Sequence, residues 1–170
     1  MIRFPITHLW DGTPGRPDEA VTVEVTLGAQ LAIHVDAPLH GDPAPAGPPG
    51  PTWMLWEHEV VELFVLGAGG AYTEIEIGPH GHHLVLQLDG VRSIAARELP
   101  LSLTVDTRDG RWRATAALDA ALLPAGPHRV NAYAIHGVGD ARRYLAWAPV
   151  PGDGPDFHRL EHFRPVDLTR

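Results

Sequence analysis

Short stretches of alternating apolar and polar residues fill most of this chain, and proline (17) and glycine (18) separate them at close intervals. Both residues disfavour helix interiors, so long helices have little room to form. A period of two in segments rich in Val, Ile, Leu, Thr and aromatic residues is typical of strands. We predict nine strands: Val21–Leu27, Gln30–Asp36, Trp56–Leu66, Tyr72–Gly78, His83–Leu88, Leu101–Asp106, Trp112–Leu118, Val130–His136 and Tyr144–Trp147.

Turn-forming glycines follow several of these segments, at Gly67–Gly70, Asp89-Gly90, Asp109-Gly110 and Gly137–Gly139. One helical turn is predicted at Asp119–Leu123, where Asp119 can cap the first turn and a proline follows. Many short strands joined by tight turns are typical of a sandwich or barrel. The sequence therefore predicts one all-β domain over residues 1–170, an antiparallel β-sandwich.

Composition excludes several kinds of chemistry. The net charge of −8 argues against nucleic acid or an anionic membrane as partner, and there is no apolar run long enough to span a bilayer. The chain has no cysteine and no lysine, and neither Ser93 nor Ser102 lies in a G-x-S-x-G turn. Thiolate, lysine and hydrolase-type serine chemistry are thereby excluded. The lack of cysteine, and of an export signal near the first residues, predicts a cytoplasmic location.

Two motifs resemble functional loops but fit strands better. His58-Glu59-Val60-Val61-Glu62 has zincin-like spacing, which requires a helix, yet it runs directly into an apolar strand. Val65–Gly70 resembles a dinucleotide-binding loop without a helix after it, so a hairpin turn is the better interpretation. The proline-rich segment Pro43–Pro51 is either a stiff surface connection or a ligand for an SH3-type groove.

Histidines and glutamates supply the remaining candidates for chemistry. His80, His82 and His83 with Glu74 could bind a metal or form a turn bonded to backbone, and we expect purified protein to retain no stoichiometric metal. Glu62, Glu74 and Glu76 converge if their two strands pair as a hairpin. Such carboxylates suit acid–base chemistry or a hard cation, and they equally suit a solvated face or pairing with arginine.

Four segments carry a family resemblance: Leu55–Phe64, Tyr72–Ile77, Pro79-His80-Gly81 and the closing segment Pro155–Phe163. In these segments the chain resembles DOMON-like domains related to family-9 carbohydrate-binding modules. It is also similar, over nearly its whole length, to an uncharacterised family known from vertebrates and bacteria. That similarity is carried by Trp10-Asp11-Gly12, Asp42-Pro43, Glu98–Ser102, Ala134–Gly137, Pro149-Val150-Pro151 and Pro155–His158.

The resemblance implies a β-sandwich of roughly ten strands with a face that can bind a ligand, and sugar binding by analogy. Haem-binding relatives use an axial methionine, for which Met54 is a poor candidate, so we expect no cofactor. The leading hypothesis is a stand-alone binding domain for a sugar or small polar metabolite. Aromatic faces would stack on this ligand. Two alternatives are a small hydrolase or isomerase with a His–Glu pair or bound metal, and a protein-interaction module.

The predicted ligand-binding residues lie in or beside the shared motifs. They are Trp53, Trp56, His58, Glu62, His83, Arg92, Asn131, His136, Arg143 and His158. Strand parity predicts that His58 and Glu62 share a face, and we expect them to cluster with His83, His136 and His158. In this hypothesis Phe157 anchors the closing segment, and His158 points at the opening.

Overall fold

Two β-sheets pack face to face, so the predicted β-sandwich is confirmed. The computed structural model describes residues 1–169. The strands are β1 (Ile2–Ile6), β2 (His8–Leu9), β3 (Val21–Leu27), β4 (Gln30–Pro38), β5 (Gly50–Pro51), β6 (Val60–Leu66), β7 (Tyr72–Ile77), β8 (His82–Gly90), β9 (Ser93–Ala96), β10 (Ser102–Arg108), β11 (Arg111–Asp119), β12 (His128–His136), β13 (Arg143–Ala146) and β14 (Arg164–Val166). Short 3-10 helices span Pro17–Glu19, Leu55–Glu57, Ala120–Leu122, Gly139–Ala141 and Leu160–His162.

The two sheets differ in size. The smaller sheet has the order β1-β3-β4-β11-β10, and the larger has the order β2-β13-β12-β6-β7-β8-β5, with β14 on β12 and β9 on β8. The described ladders are antiparallel except for the short β5–β8 pair. The central strands of the larger sheet, β6 and β7, therefore have partners on both sides and form a rigid platform.

Side chains alternate between the two faces of the larger sheet, and both faces are buried. One face, here called the inner face, packs against the smaller sheet through residues such as Val61, Leu63 and Ile75. The opposite, outer face carries Phe64 and Tyr133, which belong to a second apolar cluster. Since every residue of β6 and β7 is buried, a layer of loops must shield the outer face from water.

The closing segment of the chain supplies part of that layer. Phe157 is 8% exposed, and its ring stacks on Tyr133 at 3.8 Å between centroids. Phe163 is also buried and meets Phe64 edge-on at 5.8 Å. The prediction that Phe157 anchors the segment is confirmed, and the segment places His158 over the outer face.

Most elements of secondary structure predicted from the sequence are present. Asp119 accepts a hydrogen bond from the backbone nitrogen of Ala121 at 2.9 Å and starts the 3-10 helix, as predicted. All nine predicted strands exist, but the one predicted from Trp56 begins only at Val60, because residues 55–57 form a 3-10 helix. The five unpredicted strands have two to five residues, and β1 contains Pro5, which is tolerated because β1 is an edge strand.

The proline-rich loop is held against the body of the protein. Buried Glu59 accepts hydrogen bonds from the backbone nitrogens of His40, at 3.1 Å, and Asp42, at 3.4 Å. Asp42 in turn accepts one from the backbone nitrogen of Gly137 at 2.6 Å. These bonds fit the interpretation of the loop as a stiff connection. No helix within residues 1–169 has the length and apolar character needed to cross a membrane.

Candidate functional site

A cavity of about 680 Å³ opens on the outer face of the larger sheet. Strands β6, β7, β8 and β12 form its floor, and four loop segments near residues 53–57, 92–94, 138–142 and 155–158 form its walls. Pockets of this size accommodate small-molecule ligands. The lining residues are Trp53, Trp56, Glu57, Glu62, Glu74, Leu86, Leu88, Arg92, Ile94, Ile135, Val138, Gly139, Arg142, Tyr144, Pro155, Phe157 and His158.

Three glutamates lie together on the outer face of the larger sheet, and two of them, Glu62 and Glu74, line the cavity. Glu62 of β6 stands directly opposite Glu76 of β7, and Glu74 is the next residue of β7 on the same face. The predicted convergence is therefore confirmed. Their side chains are almost fully buried, at 2%, 0% and 3% exposure for Glu62, Glu76 and Glu74. These carboxyl groups have few partners: Glu74 and Glu76 interact with each other, and the backbone of Trp56 approaches Glu76.

Burial controls the protonation of these carboxyl groups. Desolvation raises the pKa of Glu74 to about 7, although Glu76 and the Arg92 guanidinium oppose the rise. Burial, together with repulsion between the neighbouring carboxylates, also raises the pKa values of Glu62 and Glu76 well above the ordinary value. These carboxyl groups therefore keep their protons to higher pH than ordinary glutamates, and a protonated carboxyl group can both donate and accept hydrogen bonds.

Two arginines fasten the walls. Nη2 of Arg92 lies 2.8 Å from Oδ1 of Asp156, and the same oxygen accepts a hydrogen bond from the backbone nitrogen of His158. Arg142 donates to the backbone carbonyl oxygens of Trp56 and Glu57, so it joins the loop after β12 to the loop before β6. Because these arginines have protein partners, they position the walls as well as contribute positive charge to the cavity.

Aromatic rings form the apolar part of the wall. Trp53 and Trp56 meet edge-on at 5.1 Å, and the guanidinium of Arg97 lies 5.0 Å from the ring of Trp53. The guanidinium of Arg142 lies 5.7 Å from the ring of Tyr144. These contacts fix the rings before any ligand arrives. Trp53 remains 38% exposed, which leaves part of its ring free to stack on a ligand.

His158 is held as a neutral ring in the wall. The Tyr72 hydroxyl accepts a hydrogen bond from the backbone nitrogen of Arg92 at 3.1 Å, and it lies 2.7 Å from Nδ1 of His158. In the tautomer with its proton on Nε2, the ring accepts from the hydroxyl at Nδ1 and presents Nε2–H as a donor. Burial, with repulsion from Arg92, lowers the pKa of His158 to about 4. His158 is thus a neutral hydrogen-bonding group at physiological pH.

The structure brings together half of the residues that the sequence predicted as a ligand site. Trp53, Trp56, Glu62, Arg92 and His158 line the cavity. The lining also includes Ile94, Val138 and Arg142, which were not predicted. They belong to loops or to a short edge strand, where no periodic pattern marks the side that faces the cavity.

The expected cluster of His58, Glu62, His83, His136 and His158 does not form. His58 precedes β6, outside its regular alternation, and its Nδ1 lies 3.3 Å from the carbonyl oxygen of Pro43. His83 stands opposite Ile77, and His136 continues the row of Ala132 and Ala134, so both histidines belong to the inner face.

His136 and Arg143 instead belong to a polar cluster around buried Glu19. Arg143 binds the Glu19 carboxylate through Nε and through Nη2, the latter at 2.9 Å from Oε2. Nε2 of His136 lies 3.2 Å from Oε1 of Glu19, and its ring stacks on His40 at 3.5 Å. The hydrolase alternative required a histidine–carboxylate pair inside the opening. The pair formed by His136 and Glu19 lies on the inner-face side, away from the cavity.

Asn131 is a structural residue and does not reach the cavity. It is fully buried, and Nδ2 donates to the Tyr133 hydroxyl at 2.7 Å and to the carbonyl of Ala148 at 2.9 Å. Its Oδ1 accepts from the backbone nitrogens of Ala132 and Ala148. Protein groups therefore use its whole hydrogen-bonding capacity, and Asn131 ties β12 to the loop after β13.

The histidines after β7 contact the proline-rich loop. Nε2 of His82 lies 3.3 Å from the carbonyl oxygen of Gly47, and β5 pairs with His82 and His83. Within residues 1–169 no three His, Asp or Glu side chains are placed to hold a metal ion. The metal content of the purified protein stays a prediction.

Comparison with known proteins adds relatives of the whole chain. No protein-family model matches the sequence. The chain is 42% identical to the UPF0462 protein C4orf33 homolog of Danio rerio over 97% of its own length and 88% of that protein. It is 41% identical to UPF0462 protein C4orf33 of Homo sapiens, over 98% of this chain and 88% of the human one.

Solved structures with this fold include proteins described by sugar binding. A putative carbohydrate-binding protein from Bacteroides uniformis superposes with a TM-score of 0.70 at 18% identity, over 96% of this chain and 84% of that one. A family-9 carbohydrate-binding module from Caldicellulosiruptor kristjanssonii, in complex with cellotriose, gives a TM-score of 0.56 at 8% identity, over 84% and 71%. At these identities the likeness shows the fold alone, and the likeness to DOMON-like domains stays a prediction.

Proposed function

The chain belongs to the UPF0462 (C4orf33) protein family, and we propose that its outer-face cavity binds a small carbohydrate. One observation carries the proposal: rigidly held aromatic rings and buried carboxyl groups face the same cavity. Sugars present apolar C–H faces beside hydroxyl groups, and this cavity offers a partner to each.

Hydroxyl groups suit the floor because each can donate and accept a hydrogen bond. The Glu74 carboxyl group is 3% exposed and lines the cavity with Glu76 as its hydrogen-bonding neighbour, so a ligand hydroxyl can complete its hydrogen bonding. The neutral His158 ring and the Arg92 guanidinium provide donors at the side of the cavity. A binding protein for a sugar or small polar metabolite accounts for these groups better than a protein-interaction module, because the Glu74 carboxyl group is recessed below the surface.

The fold relatives support the same proposal independently of the cavity. A family-9 module of this fold was solved with cellotriose and with glucose. The cytoplasmic location suggested by the sequence stays a prediction. We likewise propose that residues 1–170 form a single domain and that the protein uses no cofactor.

Replacing Trp56 with alanine is expected to weaken sugar binding by at least about tenfold, since a buried aromatic anchor typically contributes more than ~1.4 kcal/mol. Isothermal titration calorimetry with glucose, galactose, mannose and cellobiose measures the effect. The matched control is Trp147→Ala, because Trp147 packs against Phe4 at 4.8 Å and does not line the cavity. Trp147→Ala should lower stability and leave the affinity of the folded protein unchanged. Loss of binding in both variants alike would contradict the assignment, and so would unchanged binding in Trp56→Ala.

A further inference from the structure

Exposed apolar side chains gather around one opening of this protein. Apart from Met1, the large apolar side chains that are exposed within residues 1–169 are Trp53, Met54, Val91, Ile94 and Val138. Trp53, Ile94 and Val138 line the cavity, while Met54 and Val91 each adjoin a lining residue in sequence. Single exposed apolar residues are common, but a concentration at one place indicates a binding surface.

The bottom of the cavity combines carboxyl groups with apolar side chains. Glu62 and Glu74 are 2% and 3% exposed, and they lie beside the equally buried Leu86 and Leu88. Its mouth carries Ile94 and Val138, which are 44% and 57% exposed. A ligand that fits both zones has a polar head and an apolar tail, with the tail pointing outward.

We propose that the cavity takes an amphipathic glycoside, with its sugar on the carboxyl floor and an alkyl or aryl aglycone against Trp53, Ile94 and Val138. This inference rests on the proposed function and adds the class of aglycone. The three rim residues come from three separate segments: Trp53 from the loop before β6, Ile94 from strand β9 and Val138 from the loop after β12. Because all three line the cavity, they suit the tail of a molecule already seated there better than a flat protein partner.

The rim is built to meet a ligand without reorganising. Trp53 is fixed by Trp56 on one side and by Arg97 on the other. Val138 adjoins the 3-10 helix Gly139–Ala141, and the following Arg142 bonds to the carbonyls of Trp56 and Glu57. Preorganised apolar groups lose little conformational freedom on binding. Most of the free energy gained by burying the tail therefore contributes to affinity.

Calorimetric titration with a chain-length series tests the inference. The probes are the methyl, butyl and hexyl glycosides of β-glucose, β-galactose and α-mannose, with 1-hexanol as a tail without a head. Affinity should rise by up to about fourfold for each methylene that leaves water, which corresponds to ~0.8 kcal/mol per methylene. In the double variant Ile94→Ser, Val138→Ser the ratio of hexyl-glycoside to methyl-glycoside affinity should fall well below the wild-type ratio, because two of the three apolar rim side chains are lost.

The outcomes separate the two proposals. If methyl glycosides bind and longer tails add nothing, the aglycone inference is overturned and the carbohydrate proposal stands. If methyl glycosides fail to bind and 1-hexanol binds as well as hexyl glycosides, the carbohydrate proposal fails, and this inference with it. Sedimentation velocity should show a monomer; a dimer that the double variant dissociates would instead assign the rim to contact between copies. If the double variant does not fold, the wild-type chain-length series alone decides.

Discussion

Replacing Asn131 with alanine is expected to lower the free energy of unfolding by about 3–4 kcal/mol, a large share of the stability of a protein of this size. The substitution removes four hydrogen bonds, two to Ala148 and one each to Ala132 and Tyr133. It leaves both backbone groups of Ala148 and the backbone nitrogen of Ala132 without this partner, in a place that is fully buried. Chemical denaturation followed by tryptophan fluorescence measures the change.

The matched control is Gln87→Ala. Gln87 is also an amide side chain, but it is only half-buried and donates one hydrogen bond, from Nε2 to the carbonyl of Leu122 at 2.9 Å. It should cost about 1 kcal/mol, the usual net value of one hydrogen bond. Equal losses of unfolding free energy in the two variants would mean that the four hydrogen bonds of Asn131 stabilise the protein no more than the single hydrogen bond of Gln87.

Replacing Glu74 with glutamine is expected to stabilise the protein at pH 8 by up to about 3 kcal/mol, and to have little effect near pH 5. Burial raises the pKa of Glu74 from 4.5 to about 7, so between these values the folded chain keeps a proton that the unfolded chain has released. The stability that depends on this proton is fully present below pH 4.5 and is lost as pH rises through 7. Glutamine stays neutral throughout and avoids the loss.

Thermal unfolding of both proteins between pH 5 and pH 8 measures this dependence. The wild type should lose stability as pH rises, and Glu74→Gln should lose less, since Glu62 and Glu76 still contribute in the same direction. The control is Glu161→Gln, because backbone hydrogen bonding and Arg159 hold the pKa of that exposed carboxylate below its usual value. This control should gain no stability at pH 8. Parallel curves for wild type and Glu74→Gln would refute the buried-carboxyl account.

The sequence predicts the sandwich because strand periodicity and turn residues are local signals. Glu62 was recognisable as unusual because it interrupts the apolar run Val60–Leu66. Its convergence with Glu74 and Glu76 followed from one hairpin, whose register is set by the short turn at Gly67–Gly70. Side-chain contacts between strands that are adjacent in the sequence could therefore be predicted.

Strand periodicity did not predict contacts between strands that are far apart in the sequence. Parity along β12 separates His136 from Tyr133, but it does not say which row faces the cavity. That choice depends on the register of β12 with β6, where Tyr133 stands opposite Glu62, and these residues are far apart in sequence. The rim residues Ile94 and Val138 escaped prediction because one lies on the short edge strand β9 and the other in a loop, where no long periodic pattern marks the side that faces the cavity.

The most direct test of carbohydrate binding in the outer-face cavity is a titration of ¹⁵N-labelled protein with the glycosides, followed through the tryptophan indole N–H signals. Trp53 and Trp56 line the cavity, whereas Trp112 is 1% exposed in the core between the sheets, so each titration contains its own control. The account predicts saturable shifts of the Trp53 and Trp56 signals while Trp112 stays fixed. Saturable binding that leaves Trp53 and Trp56 unmoved, or no binding by any of these sugars, would contradict it.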